Sequence, residues 1–306
     1  MQQFSATDAA LAGFRLAREK PKTIGVWTLI MGALSFAVSA VAVLTFGKEL
    51  TDLAEKLADQ SDPQAAMAAI TGMWPFFLGS MLYVLATNAI LLAGANRLIL
   101  RPRDSAGAYL RLGADELRQA GAQALLYIVL FGAYLVGGVG AVILGGIGAA
   151  IGGAALGVLV GVFAFIGVLA GLVFLAVRLS FVSTLAFDTR RIDLRASWAM
   201  TQGRFWPLFG TYVIAMVLAA IVYLLLMVMI YAVGTIGALA MGGGLASVSD
   251  ALQHEANSIS SVLSPAGVIS ALLSGLMAVL LSLIVSAPAP TIYAQLRGGD
   301  VSATFG

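Results

Sequence analysis

The chain has 306 residues, 60% of them hydrophobic and 10% charged, with a formal charge of +2 and a mean hydropathy of +0.97. Soluble domains average about 45–50% apolar and about 25% charged residues, so this composition excludes an ordinary soluble enzyme, a disordered chain and a nucleic-acid binder, and reads as a polytopic α-helical membrane protein. There is no Cys and one His, His254, which removes disulfides, thiolate metal sites, Cys nucleophiles and His-cluster metal sites.

A hydrocarbon core of about 30 Å needs about 20 helical residues per crossing. The first uncharged run is Ile24–Phe46. Ala40-Val41-Ala42 resembles a signal-peptide cleavage site. The polar leader Met1–Lys22 is long for the n-region of a signal peptide, however, and the run is long enough to span, so an uncleaved first transmembrane helix is expected. The second span is about Trp74–Ala95, closed by Arg97. From Gln119 to Val177 there are 59 residues without charge, about 88 Å as one helix at 1.5 Å per residue. That run must cross twice, and the turn is expected where Gly145, Gly146, Gly148, Gly152 and Gly153 cluster. The third and fourth spans are then about 122–144 and 154–178. The fifth runs over about 205–233 with a Gly-rich exit, because no turn residue interrupts Val213–Ala232. The sixth is about 266–286.

Charge placement orients these spans. Of the 17 basic residues, only Lys48 and Lys56 fall in the segments that follow spans one and five, which leaves 15 on the other side. Those two segments also hold Glu49, Asp52, Glu55, Asp59, Asp62, Asp250 and Glu255, a net charge of −5. The positive-inside rule then puts both termini in the cytoplasm. Between spans one and two, Leu53, Ala54, Leu57 and Ala58 have helical spacing, and a short outer-surface helix is expected. The second outer loop, Gly242–Ser264, is expected to be partly mobile.

The cytoplasmic segments have a common pattern. Ser5 with Asp8 reads as a helix start, and that helix should stop before Pro21. Asp104 with Tyr109 and Gly113, and Asp193 with Trp198 and Gly203, read as two further starts 89 residues apart. The expected fold is therefore all-α: a single membrane domain over 1–306 with six transmembrane helices as three hairpins. Each hairpin is preceded by an inner interfacial amphipathic helix, in a three-fold repeat over 1–100, 101–190 and 191–306.

Several residues stand out chemically. Asn88 lies mid-membrane and Asn96 near the inner end of span two; each is either interhelical glue or part of a pathway. Arg178 either snorkels to the interface, or pairs with Asp188 or a lipid phosphate. Gly153, Gly157 and Gly161, with Gly167 and Gly171, make GxxxG steps that suit close helix packing. Their partner is span three, another span or a second copy. Trp27, Trp74 and Trp206 fall at span ends, as interfacial anchors do. No carboxylate lies within a span, and there is no HExxH or Walker A motif, so neither an ion-coupled relay nor an enzyme is expected. Gly298-Gly299-Asp300 lies in the tail, where it makes no intramembrane protease site.

The stretch Ala196-Ser197-Trp198-Ala199-Met200-Thr201-Gln202-Gly203-Arg204-Phe205-Trp206-Pro207-Leu208-Phe209-Gly210, preceded by Arg178-Leu179-Ser180-Phe181, resembles a group of six-span bacterial inner-membrane proteins. That group is similar to the membrane domain preceding the catalytic domain of some glycerophosphodiester phosphodiesterases, and to the YciC-like proteins. The closing Thr291–Arg297 resembles the way these chains end. The resemblance implies the fold and a bacterial inner membrane. The phosphodiesterase catalytic domain is missing here, so that activity does not carry over. In this setting Trp198 embeds, Gly203 ends a helix, Arg204 meets phosphate and Trp206-Pro207 begins span five. Expected partners are membrane lipids, together with another membrane protein or a second copy of the chain, with no nucleic acid and no cofactor. The expected role is structural or accessory in membrane lipid or envelope homeostasis; the alternative is a transporter or channel for a lipid or other amphiphile.

Overall fold

The computed structural model describes residues 5–58, 62–240 and 258–297, and these contain helices and no strand. Five helical segments are long and apolar enough to cross a membrane. Most of the reading over Gly242–Ser264, and all of Gly298–Asp300, lies outside the described residues.

Local chemistry sets the helix starts. Ser5 caps α1 (Ala6–Ala10) by accepting from the Asp8 N–H at 3.3 Å. A break at Leu11 leads into α2 (Ala12–Glu19), and Pro21 opens α3 (Pro21–Ala58), where a missing N–H costs nothing. Helix α3 continues through the expected outer segment, which adds α4 (Pro63–Gly72), capped by Asp62. Helix α5 (Trp74–Leu100) follows directly.

The connector after α5 departs from the sequence expectation. Asp104 caps no helix; it pairs with Arg111. The chain makes a short 3-10 turn, Ala106–Tyr109, with Gly107, Ala108 and Tyr109 all at positive φ. Distant side chains take its carbonyls. Trp27 Nε1 donates to the Ala108 oxygen at 2.6 Å, and Arg97 Nη1 donates to the Tyr109 oxygen at 2.5 Å. Those bonds replace the ones a helix would need.

Helix α6 (Ala114–Arg178) is interrupted at Gly152–Gly153, where Gly153 has φ 81° and ψ 177°, a region essentially confined to glycine. Of the expected turn glycines, Gly145, Gly146 and Gly148 stay helical. The two arms lie against each other. A Cβ on Gly157 would meet Ala149 at 2.5 Å, and one on Gly137 would meet Val168 at 2.8 Å. After a turn at Leu179–Phe181 comes α7 (Val182–Thr189), then α8 (Leu194–Thr201), capped by Asp193 as the sequence suggests. The remaining helices are α9 (Phe205–Ala240), α10 (Ile259–Leu263), α11 (Pro265–Ser286) and α12 (Pro288–Leu296).

Helix α11 is the centre of the bundle, packed against α2, α3, α5 and α9. Glycines permit its closest approaches. A Cβ on Gly275 would sit 2.7 Å from Gly32 Cα and 2.8 Å from the Thr28 oxygen, and one on Gly13 would sit 2.6 Å from the Leu283 oxygen. The core gathers at the end of the bundle that carries the arginines. Leu16, Trp27, Leu91, Leu98, Val279 and Leu283 form one cluster, and Phe181, Leu208, Ile292 and Tyr293 are in a second. Helix α7 is buried along Val182–Phe187, so the connectors α1, α2 and α7 are wedged into the bundle.

Gly275→Ala should lower unfolding free energy by about 1–3 kcal/mol, the usual cost of overpacking. Gly167 faces open space, so Gly167→Ala should be neutral or stabilising by about 0.5–1 kcal/mol, as expected when a mid-helix glycine is replaced. Equilibrium unfolding in mixed detergent micelles separates the two.

Candidate functional site

Two polar centres occupy the basic end. The first is built on α5, α6 and α7. Arg97 is 2% exposed and donates to Glu116 Oε1 at 2.8 Å and Asp115 Oδ2 at 3.4 Å. Asp115 is held on its other side by Arg118 at 2.8 Å. The Arg97 guanidinium also lies over the Phe187 ring, 5.6 Å from its centroid. Beside it, Asn96 donates to Ser183 Oγ at 3.3 Å, Ser183 donates to Gln119 Oε1 at 2.6 Å, and Gln119 donates to the Ser183 carbonyl at 2.9 Å. These bonds tie three helices together around a charge that could not otherwise stay buried. Asn96 belongs to this network, while its Oδ1 has no partner. Asn88 is half-buried two turns away on α5 and makes no hydrogen bond among the described residues.

The second centre is built on the end of α6, on α8 and on the start of α9. Ser197 Oγ donates to the Arg178 carbonyl at 3.0 Å and accepts from the Phe181 N–H at 3.2 Å. Thr201 Oγ1 lies 3.3 Å from the same carbonyl. Ser197 and Thr201 are one turn apart, so they fix α8 against the last turn of α6 and set Trp198 beside Arg178. The Arg178 guanidinium carbon lies 5.1 Å from the ring centroids of both Trp198 and Phe174. Phe174 continues to Phe205 at 5.2 Å, and Phe205 stacks on Phe209 at 5.8 Å. Trp206 packs on both of these and is 75% exposed. Arg204 turns back to the Met200 carbonyl at 3.2 Å, closing α8.

The pairing of Arg178 with Asp188 does not form. Asp188 accepts from Tyr293 Oη at 2.7 Å and from Arg297 at 2.5 Å. Arg178 Nε and Nη1 are shielded by the protein and have no hydrogen-bond partner among the described residues. Thus Arg178, Trp198 and Trp206 come together, with Arg204 on the adjoining turn, while Asn88 and Asn96 stand apart.

The glycines divide likewise. Gly153 makes the turn, and Gly157 and Gly161 pack against Gly145 of the other arm, whereas Gly167 and Gly171 face open space. Among the described residues, no three His, Asp or Glu side chains gather as a metal site. Sequence reading missed Arg97, Glu116, Gln119, Ser183, Ser197 and Thr201 as site residues. The signal within reach was the Arg97 that ends span two facing the Asp115-Glu116 pair that begins α6. The chain matches no protein-family model, no curated protein and no solved structure.

Removing one side of the buried pair should be costly. Glu116→Leu alone is expected to destabilise by about 3–5 kcal/mol, and Arg97→Met with Glu116→Leu should recover most of that. A double-mutant cycle on detergent unfolding gives the coupling directly. A coupling near zero would mean that the pair does not stabilise this junction.

Proposed function

We propose that the chain is a non-enzymatic protein of a bacterial inner membrane, crossing six times with both termini cytoplasmic. Its role is structural or accessory in membrane lipid or envelope homeostasis, and it holds anionic lipid headgroups at Arg178. The sixth crossing follows from treating the two arms of α6 as separate spans: at 65 residues the unbroken helix would measure about 98 Å. The orientation follows from the charge bias.

The observation that carries the reading is the state of Arg178. Its flanks lie against Phe174 and Trp198, and two of its nitrogens are shielded without a hydrogen-bond partner among the described residues. Unsatisfied buried donors cost about 1–3 kcal/mol, and more when charged. Arg178 as a whole is only half-buried, and a phosphate oxygen at the open edge of its guanidinium would meet the charge with a charge-assisted bond. Trp206, largely exposed beside this centre, has the amphipathic ring that settles at headgroup level.

The alternative, passage of a lipid or other amphiphile, requires an opening at Asn88 or Arg178. Among the described residues, neither lines the clefts around Ser35, Lys48, Tyr134 or Arg111.

Purified protein should retain phosphatidylglycerol in native mass spectrometry. Arg178→Ala should weaken that retention by roughly tenfold or more, as for loss of a hydrogen bond to a charged group. Reconstituted protein should leave the scrambling rate of fluorescent phospholipids at the background of empty liposomes. Scrambling that falls in Asn88→Leu and Arg178→Ala would replace this reading with the transport one.

A further inference from the structure

At the end of the bundle away from Arg178, α3, α9 and α11 surround a cleft of about 430 Å³, a size typical of small-molecule sites. Within a turn of its lining residues Ser35 and Ser274 lies the Gly32–Gly275 crossing, where a Cβ on Gly275 would have no room. Just past that crossing, Ser35 and Ser39 stand one turn apart on α3, and Ser270 and Ser274 one turn apart on α11; all four line the cleft.

A hydroxyl in a membrane helix is ordinarily satisfied by the carbonyl one turn back. Thr87 and Thr211 do this within the same bundle, at 2.8 and 2.9 Å. Ser261 and Ser264, which also line the cleft, donate to the Ser258 and Ser261 carbonyls, whereas the hydroxyls of Ser35, Ser39, Ser270 and Ser274 make no hydrogen bond among the described residues. The rest of the wall is mainly apolar, with Phe36, Phe76 and Ile230 prominent. Among the described lining residues only Ser, Tyr and small or apolar side chains occur, with no charged group.

This lining selects a ligand chemistry. An ionised headgroup would be buried without a counter-charge, which is costly. A pure hydrocarbon would leave four donors unsatisfied. We propose that the cleft binds an uncharged lipid bearing hydroxyl and ester oxygens, of the diacylglycerol class. Its oxygens lie between the two serine pairs and its chains lie along the aromatic wall. The site is independent of the anionic headgroup contact at Arg178.

The test uses the full chain in phosphatidylcholine nanodiscs with a photoactivatable diacylglycerol, the labelled peptides being mapped by mass spectrometry. Labelling is expected on α3 around Ser35–Ser39 and on α11 around Ser270–Ser274. Unlabelled dioleoylglycerol should compete, and an equal amount of phosphatidylglycerol should not. Ser35→Ala with Ser274→Ala removes two donors and should reduce specific labelling roughly tenfold. Arg178→Ala should leave labelling unchanged, which separates this site from the headgroup contact.

The proposal is overturned if labelling falls equally on the α6 arms, if phosphatidylglycerol competes as well, or if the folded alanine pair labels like the parent. Should the alanine pair unfold, Ser39→Leu provides the same test by filling the cleft; undiminished labelling in that variant likewise overturns the proposal.

Discussion

The structure depends on how closely α11 can approach the beginning of the chain. Within a membrane, two apolar helices gain little from hiding surface from each other, because lipid tails are equally apolar; the gain comes from close packing. Gly13, Gly32 and Gly275 allow contact at backbone distance; a Cβ at Gly13 or Gly275 would strike main-chain atoms, and one at Gly32 would come within 3.1 Å of Leu272 Cα. Once α11 is seated between α2, α3 and α9, the rest of the basic end follows. Helix α12 continues from it and brings Tyr293 and Arg297 to Asp188 at the end of α7. Leu283 and Val279 complete the cluster around Trp27 and Leu98. The last helices thus close the bundle over the first.

The basic end contains two arginines in opposite situations. Arg97 is fully enclosed, and its charge is met by Glu116, Asp115 and the Tyr109 carbonyl. A charge neutralised on every side serves as a fastener, and its geometry explains why the nearby connector is a strained turn. Arg178 is enclosed by aromatic faces that stabilise a cation without accepting its hydrogen bonds. Asp188, the carboxylate that the sequence offered as its partner, is engaged with Tyr293 and Arg297. One arginine is therefore fully paired within the protein, and the other keeps two nitrogens without a hydrogen-bond partner among the described residues.

What the sequence could reveal followed from range. The caps at Ser5 and Asp193 are local, since a side chain three residues before an N–H either reaches it or does not, and both were legible. The break in the long apolar run was legible as a glycine cluster, although only Gly152 and Gly153 make it. Asp104 looked like the same local signal and failed, because Trp27 and Arg97, distant in sequence or on another helix, took the carbonyls. The Arg97–Glu116 pair, the Asn96–Ser183–Gln119 chain and the approach of Gly32 to Gly275 join residues that no periodicity relates. The GxxxG steps gave half of their meaning. Spacing identified small-residue faces, but only folding shows that Gly157 and Gly161 meet Gly145 while Gly167 and Gly171 face outward.

The same crossing that holds the bundle together also limits what the serine cleft can do. Below Gly32 and Gly275 lie Met31, Trp27, Val279 and Leu283, none more than 2% exposed. A ligand entering among Ser35, Ser39, Ser270 and Ser274 therefore meets backbone, and beneath it a filled core. Opening a route onward would mean separating α3 from α11 at the contact on which the assembly of the chain depends. A cleft within a turn of a close-packed junction suits the proposed resident ligand better than one in transit. It also keeps the proposed uncharged site at one end of the bundle distinct from the proposed cationic one at the other.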